Sequence, residues 1–341
     1  MWRARRFGPL LGLALVLGAC ARGPVVSASY EVPATVPLRS FPRVLVTSGH
    51  DALEITMAQE LVGHLQSDIQ VRRMDRDQLE RMRLGGQIPS ATLVVMIELR
   101  TEEGIDVQTT SRQETVCGPN GCYRRTRYDN FDVPTLKATT TVTVYEGPTA
   151  RVLQRATLEA KERGREYDAM RARILEHFLT DLRRLVDTRA ERVQVRLLPV
   201  DLPGVSQALQ LIELGKWREG RLGLERAARS APAEALERGD RARLLYDLGV
   251  ARRFDPVSAE RDSDAHFEAA EEALREAIEL DPRPRYAEAL AHLREHRRAT
   301  AEIARQREAT ERNFALERQR DPSSAEVPPP PPGYDVSPPP G

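Results

Sequence analysis

Two clusters in this chain have the residue types and spacing to do chemistry. His292, Glu295 and His296 stand in the order H-x-x-E-H. On a helix this order puts both imidazoles on one face, where they can hold zinc while the glutamate activates water. The stretch around them is polar and helical with no catalytic domain about it, so a solvated capping helix is the favoured reading and a zinc-dependent hydrolase the remote alternative. Thr47, Ser48, Gly49, His50 and Asp51 follow a short apolar run, at the strand end where α/β sheets often bind ligands. No glycine-rich phosphate loop, G-x-K-[ST] ending or G-x-S-x-G elbow accompanies them, and Asp51 is more simply a helix cap. The expectation is a non-enzyme without metal or cofactor.

Leu17, Gly18, Ala19 and Cys20 close an apolar run that begins behind Arg3, Arg5 and Arg6 and is too short to span a bilayer as a permanent helix. This ending resembles the lipobox of bacterial lipoproteins. The resemblance implies removal of a signal peptide, residues 1–19, acylation of Cys20 and a tether over residues 20–40. Because Ala21 and not aspartate follows the cysteine, it also implies sorting to the outer membrane, with the protein on its periplasmic face.

An oxidising compartment gives the other two cysteines a use. Cys117 and Cys122 flank Gly118, Pro119, Asn120 and Gly121, turn formers that fold the chain back and bring the sulfurs within bonding range. The spacing is not C-x-x-C and no histidine stands near, so a disulfide-clamped hairpin tip is expected over a redox pair or half a metal site.

With 341 residues, 40% of them hydrophobic, the chain has room for two domains with cores of their own. Lys+Arg of 51 balance Asp+Glu of 51. A net charge of zero provides no field for a polyanion, and nucleic-acid binding is disfavoured.

From Arg43 the pattern alternates. Val44 to Val46 reads as a buried strand, Ala52 to Leu65 as a helix, Ile69 to Arg73 as a strand, Asp75 to Met82 as a helix and Thr92 to Leu99 as a central strand. Strands at 106–116 and 123–129 flank the cysteine loop. Lys137 to Tyr145 and Ala150 to Lys161 make a further hairpin, Arg165 to Thr188 a helix, and Val193 to Val200 the last strand. This predicts an α+β domain over 41–200, an α/β layer with antiparallel hairpins. The opening strand from Arg43 to Thr47, the helix end from Leu61 to Leu65, the passage from Val71 to Leu79 and the strand from Leu93 to Leu99 resemble, in order and pattern, the periplasmic domain of the curli secretion channel family and of lipoprotein activators of penicillin-binding proteins. The likeness implies a protein that binds partners or assembles.

In the second half, Trp217, Gly220, Leu224, Ala227 and Pro232 recur at identical spacing as Phe267, Ala270, Leu274, Ala277 and Pro282. The pattern resembles the second helix of tetratricopeptide repeats, in which small residues let helices approach and the aromatic fills the groove. An all-α repeat domain is expected over 201–300, disturbed by insertions at 233–240 and 255–264 and capped by a helix from Tyr286 to Leu293. A charged, mostly solvated helix extension follows at 301–320, then a disordered proline-rich tail at 321–341.

If the first helices line a concave face, Arg243, Tyr246, Arg253 and Phe254 offer its aromatic and cationic contacts to a partner. The reading is a non-catalytic outer-membrane lipoprotein, anchored at Cys20, that acts as a scaffold or adaptor for an envelope protein. The alternative is an oligomerising subunit or accessory factor of an envelope secretion channel.

Overall fold

The computed structural model describes residues 23–119, 121–255 and 263–320. Cys20, the signal segment, Asn120, most of the 255–264 insertion and the proline-rich tail lie outside the described residues. The chain is α+β, with sheets and helices and a mostly helical C-terminal region. It divides into two compact units, each built from two stretches: a helical unit of residues up to Pro33 with Thr188–Ile303, and a sheet unit of Ala34–Asp187 with residues from Ala304 onward.

The sheet unit is organised on one five-stranded sheet. β2 (Arg43–Ser48) pairs in parallel with both β3 (Gln70–Arg73) and β4 (Thr92–Gly118), while β5 (Gly121–Glu146) and β6 (Val152–Arg163) follow in antiparallel succession. Parallel pairing needs crossover helices, here Ala52–Leu65 and Arg76–Leu84. Asp51 caps the first as expected, accepting the Leu53 N–H at 2.7 Å. Asp75 takes the N-cap position of the second without a side-chain cap bond. One sheet face, with Val44, Val46, Val95, Ile97 and Val144, buries itself with Met57, Leu61, Ile174, Phe178 and Leu182 of the helices Ala52–Leu65 and Tyr167–Val186. Each such side chain removed from water contributes roughly 1.5–3 kcal/mol. The other face holds a smaller cluster of Leu79, Ile88 and Val94.

The separate strands expected at 92–99, 106–116, 123–129 and 137–145 are fused. β4 and β5 run unbroken and pair from Leu93 with Glu146 out to Gly118 with Gly121. The reason is that β4 and β5 satisfy each other's backbone groups past the last β6 partner, so the polar residues between the apolar runs do not end the ladder. β6 pairs only as far as Thr135. Beyond it the hairpin is a bare two-stranded ribbon.

Two further expectations are corrected here. The tether at 20–40 contains β1 (Val25–Val32), which pairs antiparallel with β7 (Arg189–Arg196) in a separate two-stranded sheet. β7 therefore closes the helical unit instead of returning to the α/β layer. The reason is burial: Val26 and Ala28 are buried and, with Val193 and Val195, join the helical core. The charged extension at 301–320 is helical and largely solvent-facing as expected, but one side of it is docked. It is the continuation of one helix, Pro284–Arg320. In the sheet unit Gln306 donates to the Ala34 carbonyl at 2.9 Å, Asn313 to the Ser40 carbonyl at 2.8 Å, Glu317 pairs with Arg43, and Phe314 packs on the core.

The helical unit stacks Val205–Glu213, Trp217–Ala228, a single turn at Ala231–Glu234, Arg238–Phe254, Ser263–Leu280 and the first part of Pro284–Arg320. Gly220 is a point of close approach, since a Cβ there would lie 2.8 Å from the Ala208 carbonyl oxygen. Leu224, Ala227, Phe267, Ala270, Leu274 and Ala277 are all buried in the same core, with Trp217 packed on it.

Candidate functional site

Of the four residues expected to face a partner, three are inside. Tyr246, Arg253 and Phe254 are buried, and only Arg243 is partly exposed, paired with Asp240 at 2.8 Å. This corrects the expectation that they form an open surface. The physical reason is β1–β7, which lies on the helix that carries them. The Tyr246 hydroxyl donates to the Arg196 carbonyl at 3.1 Å, and the Leu198 N–H donates to both oxygens of the wholly buried Asp247 carboxylate at 2.9 and 3.1 Å. The protein fills the face with its own strands.

Around Arg253 the packing is aromatic. Its guanidinium stands 5.3 Å from the centre of the Tyr30 ring and 4.6 Å from that of Phe254. His296 sits 4.6 Å from Tyr30 and 5.1 Å from Phe267, and Trp217 lies 5.1 Å from Phe254. Burial sets the charge states. Desolvation pulls the Arg253 guanidinium down to about 10. Desolvation, then the Arg253 charge and His266, pushes the His296 imidazole down to about 3, so that at neutral pH the ring is uncharged. Burial also raises Asp247 well above the usual carboxylate range, against the opposing effect of its bond from Leu198.

That environment settles the geometry of the H-x-x-E-H motif. His296 is packed among Tyr30, Phe254 and Phe267, while His292 and Glu295 are exposed. Among the described residues no group of three or more His, Cys, Asp and Glu side chains is placed to hold a metal ion. The motif's spacing serves packing: a histidine on the inner stripe of the helix fills the groove.

The strand end at Thr47–Asp51 is also in structural use. Asp51 caps its helix and takes Arg171 at 3.2 Å, while the buried Glu54 accepts the Leu99 N–H at 2.6 Å where β4 outruns β2. Next to it a trough of about 390 Å³ runs along the thinly covered sheet face, lined by Thr47, Arg76, Met96, Glu98 and Tyr145 among others. Its rim charges are already paired, Arg76 with Glu98 at 2.7 Å and Arg83 with Glu80 at 2.8 Å.

The disulfide joins Cys117 and Cys122, directly opposed at the hairpin tip, where Gly121 takes φ +113°, a value that side-chain-bearing residues avoid. The ribbon it closes exposes Ile105, Val107, Tyr123, Tyr128 and Phe131. With two strands and no sheet beneath it, such a ribbon is marginal by itself. Among the described residues no helix is long and apolar enough to cross a membrane.

No protein-family model matches the chain, and neither does any curated relative. Solved structures similar to it include the PelC dodecamer from Paraburkholderia phytofirmans, 14% identical, covering 48% of this chain and 97% of that one with a TM-score of 0.25. Another is a putative neuraminyllactose-binding hemagglutinin homolog from Helicobacter pylori, 10% identical, covering 44% of this chain and 83% of that one with a TM-score of 0.27.

Proposed function

We propose that the protein is a non-catalytic lipoprotein of the outer membrane, held by an acylated Cys20 on the periplasmic side, that scaffolds or adapts an envelope protein partner. The observation that carries the reading is the disulfide-tipped ribbon of β4 and β5, which leaves the sheet and presents large apolar side chains on both faces. Maintained apolar exposure of this kind marks a contact surface. Tyr128 and Phe131 on the ribbon replace the buried Tyr246 and Arg253 as the contacts to test. The helical unit fits a short tetratricopeptide-type array, because the recurring small and aromatic positions are those at which its helices meet. The sheet unit fits the periplasmic domain type of lipoproteins that work by binding.

Crosslinking in the native envelope tests the scaffold. Partner recovery falls several-fold with Tyr128→Ser and Phe131→Ser combined, and unchanged recovery moves the contact elsewhere. Mass spectrometry of the mature N-terminus tests the anchor, and an unacylated start removes it. The unpaired ribbon edges favour a second reading, an oligomerising subunit or accessory factor of a secretion channel. A monomer in detergent sedimentation excludes self-assembly.

A further inference from the structure

Arg253 carries a charge that internal packing leaves incomplete. The residue is 5% exposed, and its Nε and Nη2 have no hydrogen-bond partner. Among the described residues no carboxylate forms an ion pair with it, and Glu191 and Glu295 act on it only from farther away. The Tyr30 ring lies against the guanidinium but offers no acceptor in place of a carboxylate, and the Nε and Nη2 groups stay unmatched. Desolvated cations with unfilled donors are tolerated where an anion completes them.

The same side chain lines a cleft of about 210 Å³, together with Gln194, Arg196, Arg285, Glu288 and His292. The lining carries three arginines against one carboxylate, and its volume suits a carboxyl group and a few neighbouring atoms. One wall is the edge of β7, whose backbone direction follows from its pairing. Leu197 donates to the Pro24 carbonyl, so alternate residues back along the strand, Val195 and Val193, exchange bonds with β1. Gln194 and Arg192, between them, direct their N–H and C=O groups to the opposite edge.

We propose that this cleft receives the side-chain carboxylate of an extended acidic segment of a protein partner, which adds as a third strand along β7 and brings an internal Asp or Glu to Arg253. Backbone pairing supplies affinity and the guanidinium fork supplies selectivity for a planar carboxylate. The inference rests on the scaffold reading and deepens it by giving the partner's chemistry.

The test uses the purified mature chain and two capped peptides, Thr-Val-Glu-Val-Thr and its Gln counterpart, followed by fluorescence anisotropy. The Glu peptide binds at least tenfold more tightly than the Gln peptide, and Arg253→Met abolishes the difference while circular dichroism stays unchanged. If that variant does not fold, Arg285→Gln on the exposed rim weakens Glu-peptide binding several-fold, and the Arg253 Nε–H resonance shifts on titrating the wild type. Equal binding of the peptides, binding of neither, an unmoved Arg253 resonance, or competition by inorganic phosphate as strong as by the Glu peptide overturns the proposal. Failure here with partner recovery in the envelope intact removes the cleft and leaves the scaffold standing.

Discussion

The guanidinium of Arg253 lies over the ring of Tyr30, 5.3 Å from its centre, and this contact ties β1 to the helix Arg238–Phe254. Tyr30 also meets His296, the ring centres 4.6 Å apart. A cation, a phenol and a neutral imidazole thus form one cluster that fastens β1 within the helical unit.

Tyr30→Ala should destabilise the helical unit by about 2 kcal/mol, through lost packing and the lost cation–ring contact. Tyr30→Phe keeps the ring and should cost about 0.5 kcal/mol or less. Urea unfolding followed by tryptophan fluorescence at Trp217 measures both.

His296 makes the fold acid-sensitive. Its ring is held neutral with a folded value of about 3 against the ordinary 6.5. The unfolded chain therefore takes up a proton first as pH falls. Stability present above pH 6.5 should be lost progressively toward pH 3, at no more than about 1.4 kcal/mol per pH unit. His296→Phe should flatten this limb, and denaturation at a series of pH values reads it.

Asp247 acts with the opposite sign. Burial raises its folded value well above 3.8, so the folded state holds a proton that the unfolded state has released. Its contribution is fullest below pH 3.8 and declines as pH rises toward the folded value. Asp247→Asn keeps an oxygen for the Leu198 N–H and removes the titration. Its stability should match or exceed the wild type at pH 8, whereas Asp247→Ala, which strips that N–H of its acceptor, should lose about 1–3 kcal/mol.

Reducing the disulfide, or Cys117→Ser with Cys122→Ser, should speed amide hydrogen exchange along 112–127 while leaving exchange in β2 and the central part of β4 unchanged. The tip lies on a ribbon that opens locally, so its clamp acts on that ribbon alone. Equal acceleration in β2 would show that the clamp supports the whole sheet unit.

Much of the architecture was legible from local pattern. The alternation around Val44 and Val95, the cap at Asp51, the facing cysteines and the recurring Trp217 and Phe267 positions all report on neighbours a few residues away. What escaped is non-local. Val25–Val32 places Ser27, Ser29 and Glu31 between its apolar residues and reads as a tether, because its partner Arg189–Arg196 is remote in the chain. From Leu244 onward the helix Arg238–Phe254 is buried on nearly every side, so Tyr246 and Arg253, polar at one end and therefore read as surface residues, are covered. Arg196 and Arg285 gave no signal, since nothing in their spacing indicates that folding brings them to one cleft.

Neither compact unit owns a continuous stretch of chain: the first closes only with residues up to Ile303, and the second draws on residues beyond it. A polypeptide delivered amino end first leaves Val26 and Ala28 bare until Val193 and Val195 arrive. Both modules therefore mature late and together, and the interval before they close is when their apolar surfaces are most open to misassembly.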